Sequence, residues 1–300
     1  MSTEAIELSD LTKYYGDVVG VDGLCLSVQQ GEIFGFLGAN GAGKTTTIRI
    51  LLDLLRPTRG SAIVLGFDAQ REGLEVRRRI GYLPGEMPIY PELSGAGYLK
   101  YLASLSGAQV SNTRVGALLR RFDVSDLDLT RRMRDYSHGM KRKLGIIQAL
   151  MSDPPVVVLD EPTSGLDPLM IEAFSQTIDE LARTARTTVF LSSHVLSEVE
   201  RMCQRVGLVR SGRLVAVRTV SELRASSIRR VTVRFAQPVA AKPPAIGTLV
   251  IHQPECWVID IDGPLGSLVQ HLARLPVADM STTATTIEDT VLRLMNEDCA

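Results

Sequence analysis

The segment that most limits how this chain can fold is a glycine-rich stretch at residues 38–45, with the sequence GANGAGKT. It matches the pattern G-x-x-x-x-G-K-[ST] and lies between the apolar residues 32–37, typical of a buried strand, and the helix-favouring residues 46–55. Glycine is needed because successive backbone N–H groups must turn toward phosphate oxygens in conformations that a Cβ atom would obstruct. The pattern therefore predicts a strand, a phosphate-binding loop and a helix, in that order.

The residues of this loop have separable roles toward a bound triphosphate. Lys44 is expected to bring positive charge to the β- and γ-phosphates, and Thr45 to offer its hydroxyl to Mg²⁺. The N-terminus of the following helix adds a favourable field for anionic groups. The predicted nucleotide-binding residues of this segment are Gly38, Asn40, Gly41, Gly43, Lys44, Thr45 and Thr46.

Two acidic residues, Asp160 and Glu161, follow directly after the apolar residues 156–159. Such a strand end lies at the carboxyl edge of a parallel sheet, where ligands bind in α/β proteins. Asp160 is predicted to hold Mg²⁺, usually through water, and Glu161 to polarise the water that attacks the γ-phosphate. Alone, the pair is more typical of a solvated strand end. Together with the loop at residues 38–45 it predicts hydrolysis of the nucleotide.

Charge and cysteine spacing exclude two classes of protein. The 300 residues contain 33 Lys and Arg against 34 Asp and Glu, so the net charge is close to zero. Proteins that bind nucleic acids usually carry an excess of basic residues, so we expect no nucleic-acid partner. The cysteines, at positions 25, 203, 256 and 299, form no CxxC pair. This spacing argues against a zinc cluster or a redox motif and favours reduced thiols.

The sequence also gives an expectation about membranes. No apolar stretch approaches the roughly 18–20 residues that cross a bilayer, and the first residues lack the pattern of a signal peptide. We therefore expect a cytoplasmic protein. If it acts at a membrane, another chain must span it.

β-Favouring and helix-favouring stretches alternate along much of the chain, which predicts a mainly parallel α/β sheet. Between residues 93 and 151 the pattern is helical instead: Ser94 suits an N-cap, and apolar residues recur at helical spacing from Tyr98. A helical subdomain at about residues 92–151 is therefore predicted. The predicted strands are residues 5–11, 23–28, 32–37, 62–65, 80–83, 156–160, 188–192 and 206–209.

A change of pattern near residue 226 predicts a domain boundary, with a main domain at residues 1–225 and an accessory domain at residues 226–300. The accessory part alternates strands and helices and predicts a small α+β appendix. Its predicted strands are residues 230–235, 249–252 and 257–261, and its predicted helices are residues 265–274 and 287–296.

The segment Tyr136-Ser137-His138-Gly139-Met140 lies about twenty residues before the carboxylate strand, and with it the sequence resembles the nucleotide-binding subunits of ABC transporters. It resembles the signature loop of that family, usually LSGGQ. Ser137 and Gly139 keep the pattern, whereas Tyr136, His138 and Met140 depart from it in the manner of ABC-2-type exporters. The resemblance implies a P-loop NTPase fold with an ABC ATPase core: a mainly parallel sheet, an antiparallel β subdomain and an inserted helical subdomain.

The resemblance also implies roles for residues outside the phosphate loop. Ser137 and Gly139 would cap the γ-phosphate of ATP bound to an opposite subunit, which implies a head-to-tail homodimer with two shared sites. Residues 163–167 resemble the D-loop, whose Asp167 would touch the partner subunit. His194, after a predicted strand, resembles the switch histidine that contacts the γ-phosphate. Tyr15 resembles the aromatic residue that stacks on adenine, and its register against Tyr14 stays open.

One position departs from the family pattern in a way that affects coupling. After the predicted strand at residues 80–83 and Pro84, the chain has Gly85 where the family has a glutamine. In the family that glutamine senses Mg²⁺ and the attacking water and relays closure to the membrane subunit. Two alternatives stay open: Glu86 substitutes for it, or the coupling is looser.

These observations lead to one favoured function and two alternatives. The favoured one is the cytosolic ATPase subunit, peripheral on the cytoplasmic face of the cell membrane, that powers a separate polytopic permease of an ABC-2-type exporter for a drug, antibiotic or lipid-like compound. The first alternative is a soluble ABC-type ATPase acting on a macromolecular complex, against which stand the single nucleotide-binding domain and the near-zero net charge. The second, a small-molecule kinase, leaves Ser137 and His194 unexplained.

Overall fold

The chain divides into two units, Met1–Val220 and Ser221–Ala300, a few residues before the boundary expected near residue 226. The first unit has two sheets and the second has one, and each unit has its own apolar core. The computed structural model describes residues 4–88, 90–107, 110–184, 187–224, 228–241, 243, 246–262, 264–284 and 286–297.

The described residues of the first unit form ten strands and most of the helices. The strands are β1 (Glu4–Tyr15), β2 (Val18–Gln29), β3 (Ile33–Leu37), β4 (Arg59–Val64), β5 (Phe67–Asp68), β6 (Ile80–Leu83), β7 (Val156–Asp160), β8 (Thr188–Ser193), β9 (Arg205–Arg210) and β10 (Arg213–Thr219). The helices are α1 (Lys44–Leu51), α2 (Gly73–Arg78), α3 (Gly95–Ser106), α4 (Asn112–Arg121), α5 (Asp126–Thr130), α6 (His138–Leu150), α7 (Pro168–Thr184) and α8 (Leu196–Met202), with a 3-10 turn at Met133–Asp135. A short helix, α9 (Val220–Arg224), begins at the division.

A six-stranded sheet in the order β10-β9-β3-β8-β7-β6 forms the centre of this unit, and only its β10–β9 pairing is antiparallel. Strands β3, β7 and β8 are buried at every residue, which explains their nearly continuous apolar sequences. Leu37 pairs with Ser193, and Asp160 pairs with Ser192. The register therefore brings the ends of all three strands to one edge of the sheet.

A second, antiparallel sheet has the order β2-β1-β4-β5. Its apolar face shares one core with α1 and the central sheet, in which Ile6, Leu24 and Val64 lie with Ile48 and Phe36. This core fixes the N-terminal hairpin beside the start of α1. The two sheets are the mainly parallel sheet and the antiparallel β subdomain that the sequence predicts.

Helices α3 to α6 occupy the stretch between β6 and β7. Ser94 caps α3 as predicted, its Oγ accepting a hydrogen bond from the Gly97 amide at 3.1 Å, and the helix ends at Gly107 with a φ of 67°. A capping box between Ser125 and Asp128 begins α5. Helix α6 begins after Ser137, whose Oγ accepts from the Met140 amide at 3.2 Å.

The described part of the second unit contains β11 (Ile228–Phe235), β12 (Thr248–Gln253), β13 (Cys256–Asp262), α10 (Gly266–Leu272), β14 (Val277–Ala284) and α11 (Ile287–Glu297). The strands form an antiparallel sheet in the order β12-β13-β11-β14. Its core packs Trp257 edge-on against Phe235, and Arg230 joins Asp260 of the sheet to Asp289 of a helix. The strand at Val277–Ala284 is absent from the sequence-based expectation.

Within the residues that the structure describes, none of the helices combines the length and apolar composition needed to cross a bilayer.

Candidate active site

The phosphate loop follows β3 and leads into α1, as the sequence predicts. Gly41 and Gly43 have φ angles of 79° and 104°, which disfavour any residue with a Cβ atom. A Cβ atom on Gly43 would also lie 2.5 Å from the carbonyl oxygen of Gly20. Glycine is therefore required at position 43 by backbone conformation and by the approach of the N-terminal hairpin.

Lys44 crosses the loop and is 5% exposed. Its Nζ donates to the carbonyl oxygens of Gly38 at 2.6 Å and Ala39 at 3.2 Å, and it lies 3.2 Å from Oε1 of Glu161. A buried ammonium needs such partners because desolvation alone strongly disfavours the charge. The arrangement places a positive charge between the loop and the carboxylate that follows β7.

Thr45 and Asp160 meet at the start of α1. Thr45 Oγ1 donates to Oδ2 of Asp160 at 2.9 Å, and Ser192 Oγ donates to Oδ1 at 2.5 Å. Asp160 is 2% exposed, so both its oxygens are oriented by hydroxyl groups. A hydroxyl beside an oriented carboxylate supplies the hard oxygen donors that Mg²⁺ prefers. Sequence reasoning missed Ser192, although two serines at the end of an apolar strand were an available signal.

Glu161 lies next to His194, with Nδ1 of the imidazole 2.6 Å from Oε2 of the carboxylate. Glu161 has a φ of 52°, a left-handed conformation that costs about 1–3 kcal/mol outside glycine. Its amide is held by the carbonyl oxygen of Ser192 at 3.2 Å and lies 3.3 Å from Ser192 Oγ. The strained backbone turns the carboxylate toward Lys44 and His194.

A cavity of about 320 Å³ opens beside the loop, within the usual range for small-molecule sites. Tyr15 lines it, whereas the hydroxyl of Tyr14 donates to Asp22 at 3.1 Å. Sequence reasoning missed the wall at Val18, Val19 and Gly20, because only the hairpin brings it to the loop. The lining residues are Tyr15, Val18, Val19, Gly20, Asn40, Gly41, Gly43, Lys44, Thr45, Thr46 and Glu161.

Three predicted residues lie in a separate cluster. Ser137 caps α6, and Asp167 caps α7 by accepting from the Met170 amide at 3.0 Å. Gly139 approaches Gly165 so closely that a Cβ atom on Gly139 would lie 2.8 Å from the Gly165 carbonyl oxygen. Ser137, Gly139 and Asp167 are not among the lining residues of the cavity.

Gly85 lies against Asp160, the residue that the sequence predicts as a Mg²⁺ ligand: a Cβ atom on Gly85 would lie 3.2 Å from Oδ2 of Asp160. Glu86 is exposed. Sequence reasoning missed Arg142, which is 1% exposed and bonds to the main chain of Pro84 and of Asp160. Its signal was a charged residue on the stripe of α6 that also carries Ile146.

Comparison with known proteins decides the family. Residues 21–164 match the family model described as ABC transporter. The bacitracin transport ATP-binding protein BcrA of Bacillus licheniformis is 40% identical over 215 residues, which cover 72% of this chain and 69% of that protein. The chain belongs to the ABC transporter family. This chain is also 39% identical over 229 residues to the daunorubicin resistance ATP-binding protein DrrA3 of Streptomyces coeruleorubidus. The alignment covers 76% of this chain and 72% of that protein.

Solved structures agree with this assignment. An ATP-binding subunit of an ABC transporter is 31% identical, with a TM-score of 0.67 over 73% of this chain and 92% of that chain. A dimeric ATP-binding cassette in a post-hydrolysis state with ADP and Pi has the same fold, with a TM-score of 0.66 at 21% identity over 72% of this chain and 98% of that chain. The predictions of an ABC ATPase core, of ATP binding and of ATP hydrolysis are confirmed by the family match and by the relatives above 30% identity.

Proposed function

We propose that this chain hydrolyses ATP to power a separate membrane-spanning permease of an ABC-2-type exporter, with a drug, antibiotic or lipid-like compound as cargo. The observation that carries the proposal is the joining of Lys44, Glu161 and His194 at the carboxyl edge of the sheet. The cargo class is supported by the relatives named for bacitracin transport and daunorubicin resistance.

Magnesium fits the pair formed by Thr45 and Asp160. Thr45 Oγ1 donates its proton to Asp160, so its lone pairs are free for a cation, and the buried carboxylate can hold a water ligand. Bound Mg²⁺ would neutralise charge on the β- and γ-phosphate oxygens. Ser192 fixes the carboxylate from the other side.

The remaining groups position water and phosphate. Glu161 acts as the general base: it takes a proton from water as the water oxygen bonds to the γ-phosphorus and the bond to the β-phosphate oxygen breaks. His194 lies 2.6 Å from Glu161 and orients its carboxylate. Lys44 exchanges the loop carbonyl oxygens for phosphate oxygens, which carry more negative charge.

The separate cluster at Ser137, Gly139 and Asp167 is the basis for a proposed homodimer. Ser137 Oγ accepts from the amide of Met140, which leaves its own proton available to a phosphate oxygen. A second copy of the chain would bring this serine and the start of α6 to the γ-phosphate, where helix N-termini favour anions. Dimer closure would drive the permease only through unequal ATP affinity of the open and closed states.

The permease partner can be tested by purifying a tagged Glu161→Gln variant with MgATP from detergent-solubilised membranes of the native cell and identifying the bound proteins by mass spectrometry. The matched control is the Lys44→Ala variant, which is expected to bind ATP poorly. Enrichment of one polytopic membrane protein by the first variant supports the proposal. Enrichment of ribosomal or DNA-bound proteins instead would favour the soluble-ATPase alternative.

A further inference from the structure

A single buried guanidinium joins helix α6 to the two loops at the active-site edge. Arg142 Nη1 donates to the carbonyl oxygens of Pro84 at 2.7 Å and Gly85 at 3.2 Å. Its Nη2 donates to the carbonyl oxygen of Asp160 at 3.0 Å and also to that of Glu161. One side chain therefore holds the main chain after β6 and the main chain at the end of β7.

The chemistry of this position favours arginine over other side chains. The planar fork reaches two loops at once, whereas a lysine has one nitrogen and can serve only one of them well. Burial holds the pKa of Arg142 below its ordinary value, while the negative charges of Asp160 and Glu161 act in the opposite direction. Within the described part of the chain, Nε has no hydrogen-bond partner, so the hydrogen bonds of this side chain to the two loops are all made by its two Nη atoms.

Helix α6 also packs closely against the end of β6 and the loop that follows it. A Cβ atom on Gly145 would lie 2.4 Å from Sδ of Met87 and 2.7 Å from Cδ1 of Leu83. Arg142 and Gly145 are three residues apart and thus face the same side of the helix. A displacement of α6, which begins directly after Ser137, is therefore expected to move this loop and the main chain of Glu161.

We propose that Arg142 is a positioning residue for hydrolysis, which fixes the main chain of Glu161 and ties it to the location of α6 and of the loop at Pro84 and Gly85. The inference rests on the proposed role of Glu161 as the base. It also accounts for position 85, where no side chain extends toward Asp160 and the guanidinium supplies the connection between this loop and the catalytic strand.

The test measures steady-state hydrolysis of MgATP and ATP affinity for Arg142→Lys and Arg142→Gln. The matched control is Arg114→Gln, at a half-buried arginine paired with Asp153 at 2.8 Å in the same unit. We expect kcat to fall roughly ten- to hundredfold in both Arg142 variants, with KM and ATP affinity changed less than about threefold. The control should keep the wild-type kcat. If Arg142→Gln fails to fold, Arg142→Lys carries the test because it retains the charge.

A double-mutant cycle separates positioning from general destabilisation. If Arg142 acts through Glu161, adding Arg142→Lys to Glu161→Gln should leave the residual hydrolysis of the single Glu161 variant unchanged. A further multiplicative loss, or a wild-type kcat in Arg142→Lys, would overturn the inference. A wild-type chain that does not hydrolyse ATP would instead refute the proposed function, and the inference with it.

Discussion

Replacing Glu161 by Gln is expected to stop hydrolysis while sparing ATP binding. The carboxylate lies 3.2 Å from the Lys44 ammonium and 2.6 Å from Nδ1 of His194, and glutamine has nearly the same shape. A positioned general base accelerates a reaction by about 10²–10⁴-fold. Since each factor of ten corresponds to about 1.4 kcal/mol, loss of the base should raise the barrier by about 3–5 kcal/mol.

Affinity for ATP should change little, and in the direction of tighter binding. The Lys44 ammonium is shared among two loop carbonyl oxygens and Glu161. Removing the negative charge leaves Lys44 more available to phosphate and removes repulsion between the carboxylate and the γ-phosphate. We expect the dissociation constant of ATP to stay unchanged or to fall by roughly two- to fivefold.

Two measurements check this prediction: phosphate release with excess MgATP, and titration with a fluorescent ATP analogue. The matched control is Glu180→Gln, which removes the same charge from an exposed side chain paired with Arg121. It should leave both quantities at their wild-type values. Hydrolysis by the Glu161 variant within tenfold of wild type, or ATP binding weakened by tenfold, would refute the reasoning.

Three further substitutions address the nucleotide and metal contacts. Thr45→Val removes the hydroxyl that bonds Asp160, so the Mg²⁺ concentration for half-maximal hydrolysis should rise roughly tenfold or more, and an unchanged Mg²⁺ titration would contradict this role. Tyr15→Ala should weaken ATP binding by about 1–3 kcal/mol through lost stacking, whereas Tyr14→Ala should not; a larger loss in the Tyr14 variant in the same titration would reverse the register. Gly43→Ala should lower the free energy of unfolding by about 1–3 kcal/mol and abolish ATP binding, because φ is 104° and Gly20 blocks the Cβ; denaturant unfolding and ATP titration measure both effects.

The parts of the site that local sequence determines were predictable. The loop at residues 38–45 requires glycine because of its own backbone conformation, which depends on only a few residues. Asp160 and Glu161 directly follow an apolar strand, which by itself indicates that they lie at its carboxyl end, where ligands bind. His194 was singled out only through the family resemblance, as a contact of the γ-phosphate, and its contact with Glu161, 33 positions away, was not predicted.

The parts that depend on tertiary pairing were not predictable from local patterns. Ser192 contacts Asp160 because β8 pairs with β7 in the register that places these two residues side by side. Local sequence patterns do not show which strands are neighbours or in which register they pair. Arg142 is similar, because its partners are backbone carbonyl oxygens, which carry no sequence signal. The strand β14 was missed because its polar residues lack the alternation that marks a half-buried strand.

The tight approach of Gly139 to Gly165 has a consequence for how two copies would communicate. The stretch that carries Gly165 starts immediately after Glu161, and the amide of Ser164 donates back to the Glu161 carbonyl oxygen at 3.2 Å. A shift of Glu161 in one copy would therefore displace Gly165, three intervening residues later in the chain. Gly165 contacts Gly139, so the Ser137 loop of the same copy would move with it. In such a pair, the Ser137 loop that contacts a nucleotide would be positioned by Glu161 of its own copy, which acts on the other nucleotide.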